Sequence, residues 1–207
     1  RAPSKLEQLC NAQADHCLMP EQVSRAESLI ADITRLGISK YNHIRNALPS
    51  WLDSLPDDCI LLVDQTANDQ SITSGLADAS SFQKMLVSAI SEHPDKPIII
   101  KTHPDVVIAK QGGSTNKKLG HFSSDELPEN VFLLAEDCSL ADLMKKVTDV
   151  YVVTSQLGFE ALLYGKVVHC FGLPFYAGWG LTQDQISCVR RSIKLSLPEL
   201  VYSSLIQ

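Results

Sequence analysis

The sequence has no apolar run near the ~18–20 residues needed to span a bilayer; its longest apolar stretches, Ile60–Val63 and Tyr151–Val153, are of strand length. It shows no signal peptide and no surplus of base. Lysine and arginine total 18 against 24 aspartate and glutamate, a formal net charge of −6, which argues against the basic face of a dedicated nucleic-acid binder. The six cysteines (Cys10, Cys17, Cys59, Cys138, Cys170 and Cys188) form no CxxC pair. A chain with a good core does not need disulfide staples, so a reducing cytosol is the simplest compartment. Cys59 and Cys170 lie in or beside apolar runs and read as small buried hydrophobes. Cys10 and Cys17 with His16 supply no full set of four metal ligands. There is no GxGxxG after the first strand, no GxxxxGK[ST], no GxSxG elbow and no HExxH, which disfavours the dinucleotide fingerprint, the P-loop, the hydrolase nucleophile and the zincin site.

What is present is a 207-residue chain, 44% apolar and 20% charged, enough for one domain of ordinary to large size or two small ones. It begins at Arg1, not methionine, so a fragment or processed product is expected. Residues 1–56 read as a mainly helical lead-in. Val23, Ala26, Leu29, Ile30, Ile33 and Leu36 recur at helical spacing, and Gly37 follows as a C-terminal cap. A shorter helix is expected between Tyr41 and Leu55, interrupted near Pro49. From residue 57 to 207 the pattern alternates. Strands are expected at Cys59–Val63, Pro97–Lys101, Val131–Leu134, Asp149–Val153 and Lys166–Phe171. Helices are expected at Ser80–Ser91, after an N-cap at Ser139, at Gln156–Tyr164 and at Pro198–Leu205. Strands alternating with helices imply right-handed crossovers and a parallel sheet covered on both faces, an α/β Rossmann-like unit of five strands.

In such a sheet ligands bind beyond the carboxyl ends of the strands, and the unusual polar, glycine and aromatic residues gather there. Asp64 to Ser71 follow the first strand, and Lys101-Thr102-His103-Pro104 the second. Thr154-Ser155-Gln156-Leu157-Gly158-Phe159-Glu160 follow the fourth, and Gly172 to Gly180 the fifth. Thr154 and Ser155 open a helix, which makes the turn a phosphate site or a simple N-cap. Gly158 lets a ligand or a neighbouring backbone approach, and Glu160 is placed to accept from ribose hydroxyls. Pro104 biases His103 toward an extended conformation; His103 can donate to a phosphate while Lys101 neutralises its charge.

Three segments, VDQTANDQSI (63–72), KTHPDV (101–106) and TSQLGFEALLYGKVVHCFGLPFYAGWGLTQD (154–184), resemble the capsule polysaccharide biosynthesis family, the bacterial Kps-type β-Kdo transferases. SKYN (39–42) and Arg190-Arg191 are weaker matches, and nothing in residues 1–38 matches. The resemblance implies the nucleotide-binding, C-terminal lobe of a GT-B glycosyltransferase. Such an enzyme moves Kdo from CMP-Kdo to a glycolipid acceptor in capsular linker synthesis, at the cytoplasmic membrane face and in contact with a capsule assembly complex. No cofactor and no metal are required by it. Its His-Pro and Ser motifs resemble those of bacterial sialyltransferases. By that likeness His103 and Ser155 contact the CMP phosphate, with Lys101, Pro104, Thr154, Gly158 and Glu160 as further nucleotide contacts. Gln65, Asp69 and Ser71 then lie at the cleft, Asp69 being either a cleft residue or a loop cap. Phe175, Tyr176 and Trp179 either wall the base or sugar or pack in the core. Where the family usually has glycine before this aspartate, this chain has Asn68, which also tolerates unusual backbone angles. A retaining course calls for a carboxylate nucleophile, which the resemblance places on a second lobe. Another nucleotide sugar, or a non-catalytic module of a capsule complex, are the alternatives.

Overall fold

Why the apolar runs become strands is visible in their two-sided burial. In β1 (Cys59–Val63) every residue is buried, because alternate side chains feed two different cores. Cys59, Leu61 and Val63 join Ile99, Val150, Val152 and Val168 on one face. Ile60 and Leu62 join Ile98, Ile100, Tyr151 and Val153 on the other. The computed structural model describes residues 2–43, 46–102, 120–122 and 127–207.

β1 pairs with β2 (Ile98–Lys101) and with β4 (Val147–Val152); β2 pairs with β3 (Val131–Leu134), and β4 with β5 (Val167–Cys170). Every pairing is parallel. A two-residue β6 (Gln183–Asp184), which the sequence did not announce, extends the far edge beside His169 and Cys170. The order is β3-β2-β1-β4-β5-β6, that of a doubly wound Rossmann sheet. The chain leaves β1 toward one edge and returns in β4 on its other side, so the loops beyond β1 and β4 diverge and leave a crevice.

Eight helices flank the sheet among the described residues. They are α1 (Lys5–Ala12), α2 (Pro20–Leu36), α3 (Ser50–Asp53), α4 (Gln70–Ser74), α5 (Ala79–Glu92), α6 (Leu140–Lys146), α7 (Leu157–Leu163) and α8 (Leu197–Val201), the last running into a π-helical turn at Tyr202–Ile206. The α2 stripe buries Ala26 and packs Leu29, Ile30 and Ile33 on the core. The helix ends at Gly37, whose φ of +63° is the left-handed cap expected there. The helix expected between Tyr41 and Leu55 is only one turn, α3. Lys40–His43 form a turn instead, and Pro49 cannot donate within a helix, so it starts α3 rather than interrupting a longer one.

The N-terminal helices share the sheet's core: Cys10 and Ala26 are fully buried in it. Gln13 Nε2 donates to the Glu199 carbonyl and to Ser203, and Gln22 Nε2 to the Tyr202 hydroxyl. Glu7 is the firmest tie. Its carboxylate accepts from Arg191 Nε at 3.1 Å and from Arg190 Nη2 at 3.4 Å, with only 8% of the Glu7 and Arg191 side chains exposed. Burial alone would raise this carboxyl. The Ser4 amide and the two guanidinium groups outweigh it and hold the group below the ordinary glutamate value of 4.5.

A carboxyl depressed by folding adds stability above its unfolded value and loses it as pH falls through the folded one. Glu7→Gln is therefore expected to destabilise the protein by about 1–3 kcal/mol at neutral pH. The deficit should vanish in acid, as read by urea denaturation across the acid range.

Candidate functional site

The crevice at the β1–β4 divergence is a cavity of about 320 Å3, within the ~300–1,000 Å3 of small-molecule sites. Residues at the ends of three neighbouring strands of the sheet line it: Asp64, Gln65, Asp69 and Ser71 beyond β1, Lys101 and Thr102 at the end of β2, and Thr154, Ser155, Gln156, Leu157 and Glu160 beyond β4. Cys138 and Leu140, on the approach to α6, and Ser39, Lys40 and Tyr41 close it.

Gln65 is the hub. Its side chain is buried, with Oε1 accepting from the Thr154 peptide N–H at 3.0 Å and Nε2 donating to Thr154 Oγ1 at 3.0 Å. The same amide nitrogen reaches Ser71 Oγ at 3.2 Å and Asp69 Oδ2 at 3.3 Å. Ser71 and Thr154 hydroxyls lie 3.0 Å apart. The Thr154 methyl fits against two glycines: a Cβ at Gly75 or Gly172 would collide with it.

Asp69 is a loop cap, as one of its two readings had it, and it also reaches the cavity. It lines the cavity, and its Oδ1 accepts from the Ser71 N–H at 2.8 Å as the cap of α4. Asn68 before it has a φ of +72°, the left-handed angle that glycine or asparagine tolerates.

Asp64, the first of the polar residues after β1, is a buried acid. It accepts from the Gln65 N–H at 2.8 Å, and the His121 N–H lies 3.0 and 3.1 Å from its two oxygens. The His121 ring stacks on Phe82 with centroids 3.6 Å apart. Nothing in the spacing signals this pair, since the partners are 57 residues apart. Asp64 itself could be found as the first polar residue after a fully apolar strand.

Glu160 lines the cavity, but not as an unengaged carboxylate: its Oε1 accepts from the Lys40 N–H at 2.8 Å. The SKYN turn of the lead-in is thus drawn onto the site. Burial pushes the Glu160 carboxyl up, against the lowering by Lys40. The Lys101 ammonium is bonded to no carboxylate among the described residues, and it sits where β2 meets Val63 and Leu134 in register. Ser155 Oγ accepts from the Leu157 N–H at 3.3 Å, one residue ahead of the Gln156 N-cap of α7.

Four expected contacts fall elsewhere. Gly158 is buried away from the cavity, and what needs its missing Cβ is the Tyr176 ring, not a ligand. Tyr176 and Trp179 have no exposed surface and do not line this cavity, because Leu173, Tyr176, Ala177 and Trp179 fold inward as core. Phe175 packs on that core beside Phe159 and Tyr176. His103 and Pro104 lie outside the described residues.

A family model described as capsule polysaccharide biosynthesis protein matches residues 52–205. The chain belongs to this family. Among similar curated proteins, the capsule polysaccharide modification protein LipA of Neisseria meningitidis serogroup B is 41% identical over 196 residues, 93% of this chain and 26% of LipA. The lipopolysaccharide-processing protein LpsZ of Rhizobium meliloti is 36% identical over 179 residues, 39% of its length. The chain therefore spans between a quarter and two fifths of these relatives. Among solved structures, the Thermosulfurimonas dismutans KpsC β Kdo 2,4 transferase matches with a TM-score of 0.85 and 37% identity, over 97% of this chain and 60% of that one. The β Kdo 2,7 transferase of the same organism matches with a TM-score of 0.69 and 30% identity, over 58% of its chain.

The raised carboxyl of Glu160 sets the sign of a pH effect. A group that binds its proton more tightly when folded contributes stability at low pH and loses it as pH rises through the raised value. Glu160→Gln, whose amide oxygen can still accept from Lys40, is expected to stabilise the apo protein at neutral pH. It should leave stability unchanged in acid, as measured by paired denaturation curves.

Proposed function

We propose that this chain is the donor-nucleotide lobe of a retaining glycosyltransferase that moves Kdo from CMP-Kdo to a glycolipid acceptor in capsular linker synthesis. The observation that carries the reading is one cavity at the β1–β4 divergence. It holds Lys101, a lysine bonded to no carboxylate among the described residues, together with the Thr154–Gln156 turn, in a chain that superposes on a β Kdo transferase. Lys101 and the Ser155 turn receive the CMP phosphate, the leaving group, and stabilise the charge that develops on it. Glu160, already bonded to Lys40, offers its second oxygen to the ribose. The greater likeness to the 2,4 than to the 2,7 transferase favours a 2,4 linkage. The acceptor approaches at the cytoplasmic membrane face; among the described residues no helix is long and apolar enough to cross a membrane.

Calorimetric titration is expected to show CMP binding in preference to UDP and GDP. Ser155→Ala and Lys101→Ala should each weaken CMP by about 1–3 kcal/mol. A folded protein indifferent to CMP would sink the reading.

The resemblance places the nucleophile on a second lobe, yet Asp69 puts a carboxylate in the cavity. Asp69→Asn keeps an oxygen for the Ser71 cap and removes the charge. With CMP-Kdo and acceptor, sustained turnover of this variant and a 2,4-linked product would leave the nucleophile to the second lobe. Loss of turnover with CMP binding intact would show that the reaction needs the Asp69 charge or its bond from Gln65 Nε2.

A further inference from the structure

The stretch Pro174–Gly180 is the most distinctive in the sequence, yet it supplies no wall of the cavity. Its contacts run to the back of the Ser155 turn. The Tyr176 hydroxyl donates to the Ser155 carbonyl, and the ring occupies the space a Cβ at Gly158 would take. Burial pushes the Tyr176 phenol well above its ordinary value, so it remains a donor. Trp179 Nε1 donates to the Phe175 carbonyl at 2.9 Å, which closes the loop on itself. Arg191 then locks it from outside: Nη1 reaches the Pro174 and Ala177 carbonyls at 2.6 and 2.5 Å, and the guanidinium lies 5.6 Å from the Trp179 ring centre. Glu7 holds the other side of that guanidinium.

We infer that Tyr176 and Arg191 are positioning residues for the phosphate contact. Tyr176 fixes the Ser155 carbonyl, and with it the direction of the turn that lines the cavity, and Arg191 fixes the loop that carries Tyr176. The distinctive motif thus acts on the ligand through one hydrogen bond, from the buried Tyr176, and touches no ligand itself. The inference rests on the reading that the Ser155 turn meets the donor phosphate.

Two probes, CMP and cytidine, separate phosphate alignment from general packing. Tyr176→Phe keeps the ring and removes one donor. It is expected to weaken CMP about fivefold, the net effect of one hydrogen bond, while cytidine affinity stays within about twofold. Arg191→Lys keeps a cation beside Glu7 but not the two-carbonyl fork; it should show the same selective loss, and it carries the test if Tyr176→Phe does not fold. Equal losses for both probes, or unchanged CMP affinity in the folded variants, would overturn the inference. Ser155→Ala is the reference. If it leaves CMP affinity untouched, the phosphate reading fails on its own. If it weakens CMP and the two positioning variants do not, only the positioning role fails.

Discussion

The side-chain amide of Gln65 joins the two halves of the sheet at the point where the backbone can no longer do so. Along β1 and β4 the main-chain ladder pairs Ile60 with Asp149 and Leu62 with Tyr151. Beyond Val63 the strands part, and the Thr154 N–H would be a buried donor without a carbonyl. Gln65 supplies the missing acceptor with Oε1 and uses Nε2 to bind Thr154, Ser71 and Asp69. The amide therefore replaces a ladder rung and also sets the floor of the cavity. An apolar residue there would leave the buried Thr154 N–H without its acceptor, at a cost of roughly 1–3 kcal/mol. The crevice exists because the topology reverses, and it keeps its shape because Gln65 bridges it.

Around that floor the charges divide by what already holds them. Asp64 is occupied by backbone donors and the His121 ring, and Glu160 by the Lys40 amide. Their anionic character is partly spent inside the protein. Lys101 has no such commitment among the described residues, and it lines the cavity in a chain of net charge −6. The opposed behaviour of Glu7 and Glu160 follows from the same balance. Both are penalised by burial, but two guanidinium groups rescue the first and a single amide does not rescue the second.

Much of this was legible before any fold was known. The β-branched runs placed five strands to within two residues at each end, Gly37 was readable as a helix stop, and Asn68 as a left-handed position. The strand-end rule brought Gln65, Asp69, Ser71, Lys101, Thr154, Ser155 and Glu160 to one cavity. The failures share a cause. Gly158 and the Phe175–Trp179 loop carry residue types that suit ligand contact and core packing equally well, and a sequence does not show which side of a loop faces the protein. The Asp64–His121 and Glu160–Lys40 contacts join residues 57 and 120 positions apart, beyond any local periodicity.

By itself the sequence determined the alternation of strands and helices, the parallel sheet and the edge at which polar residues collect, because periodicity and turn chemistry are local properties of the chain. Tertiary structure alone decided which of those residues face the cavity. It drew the SKYN turn of the N-terminal segment onto Glu160, turned Tyr176 and Trp179 inward, and clamped their loop with Arg191 and Glu7. Those outcomes depend on which surfaces meet when distant segments pack, and burial decides between wall and core only once they have met.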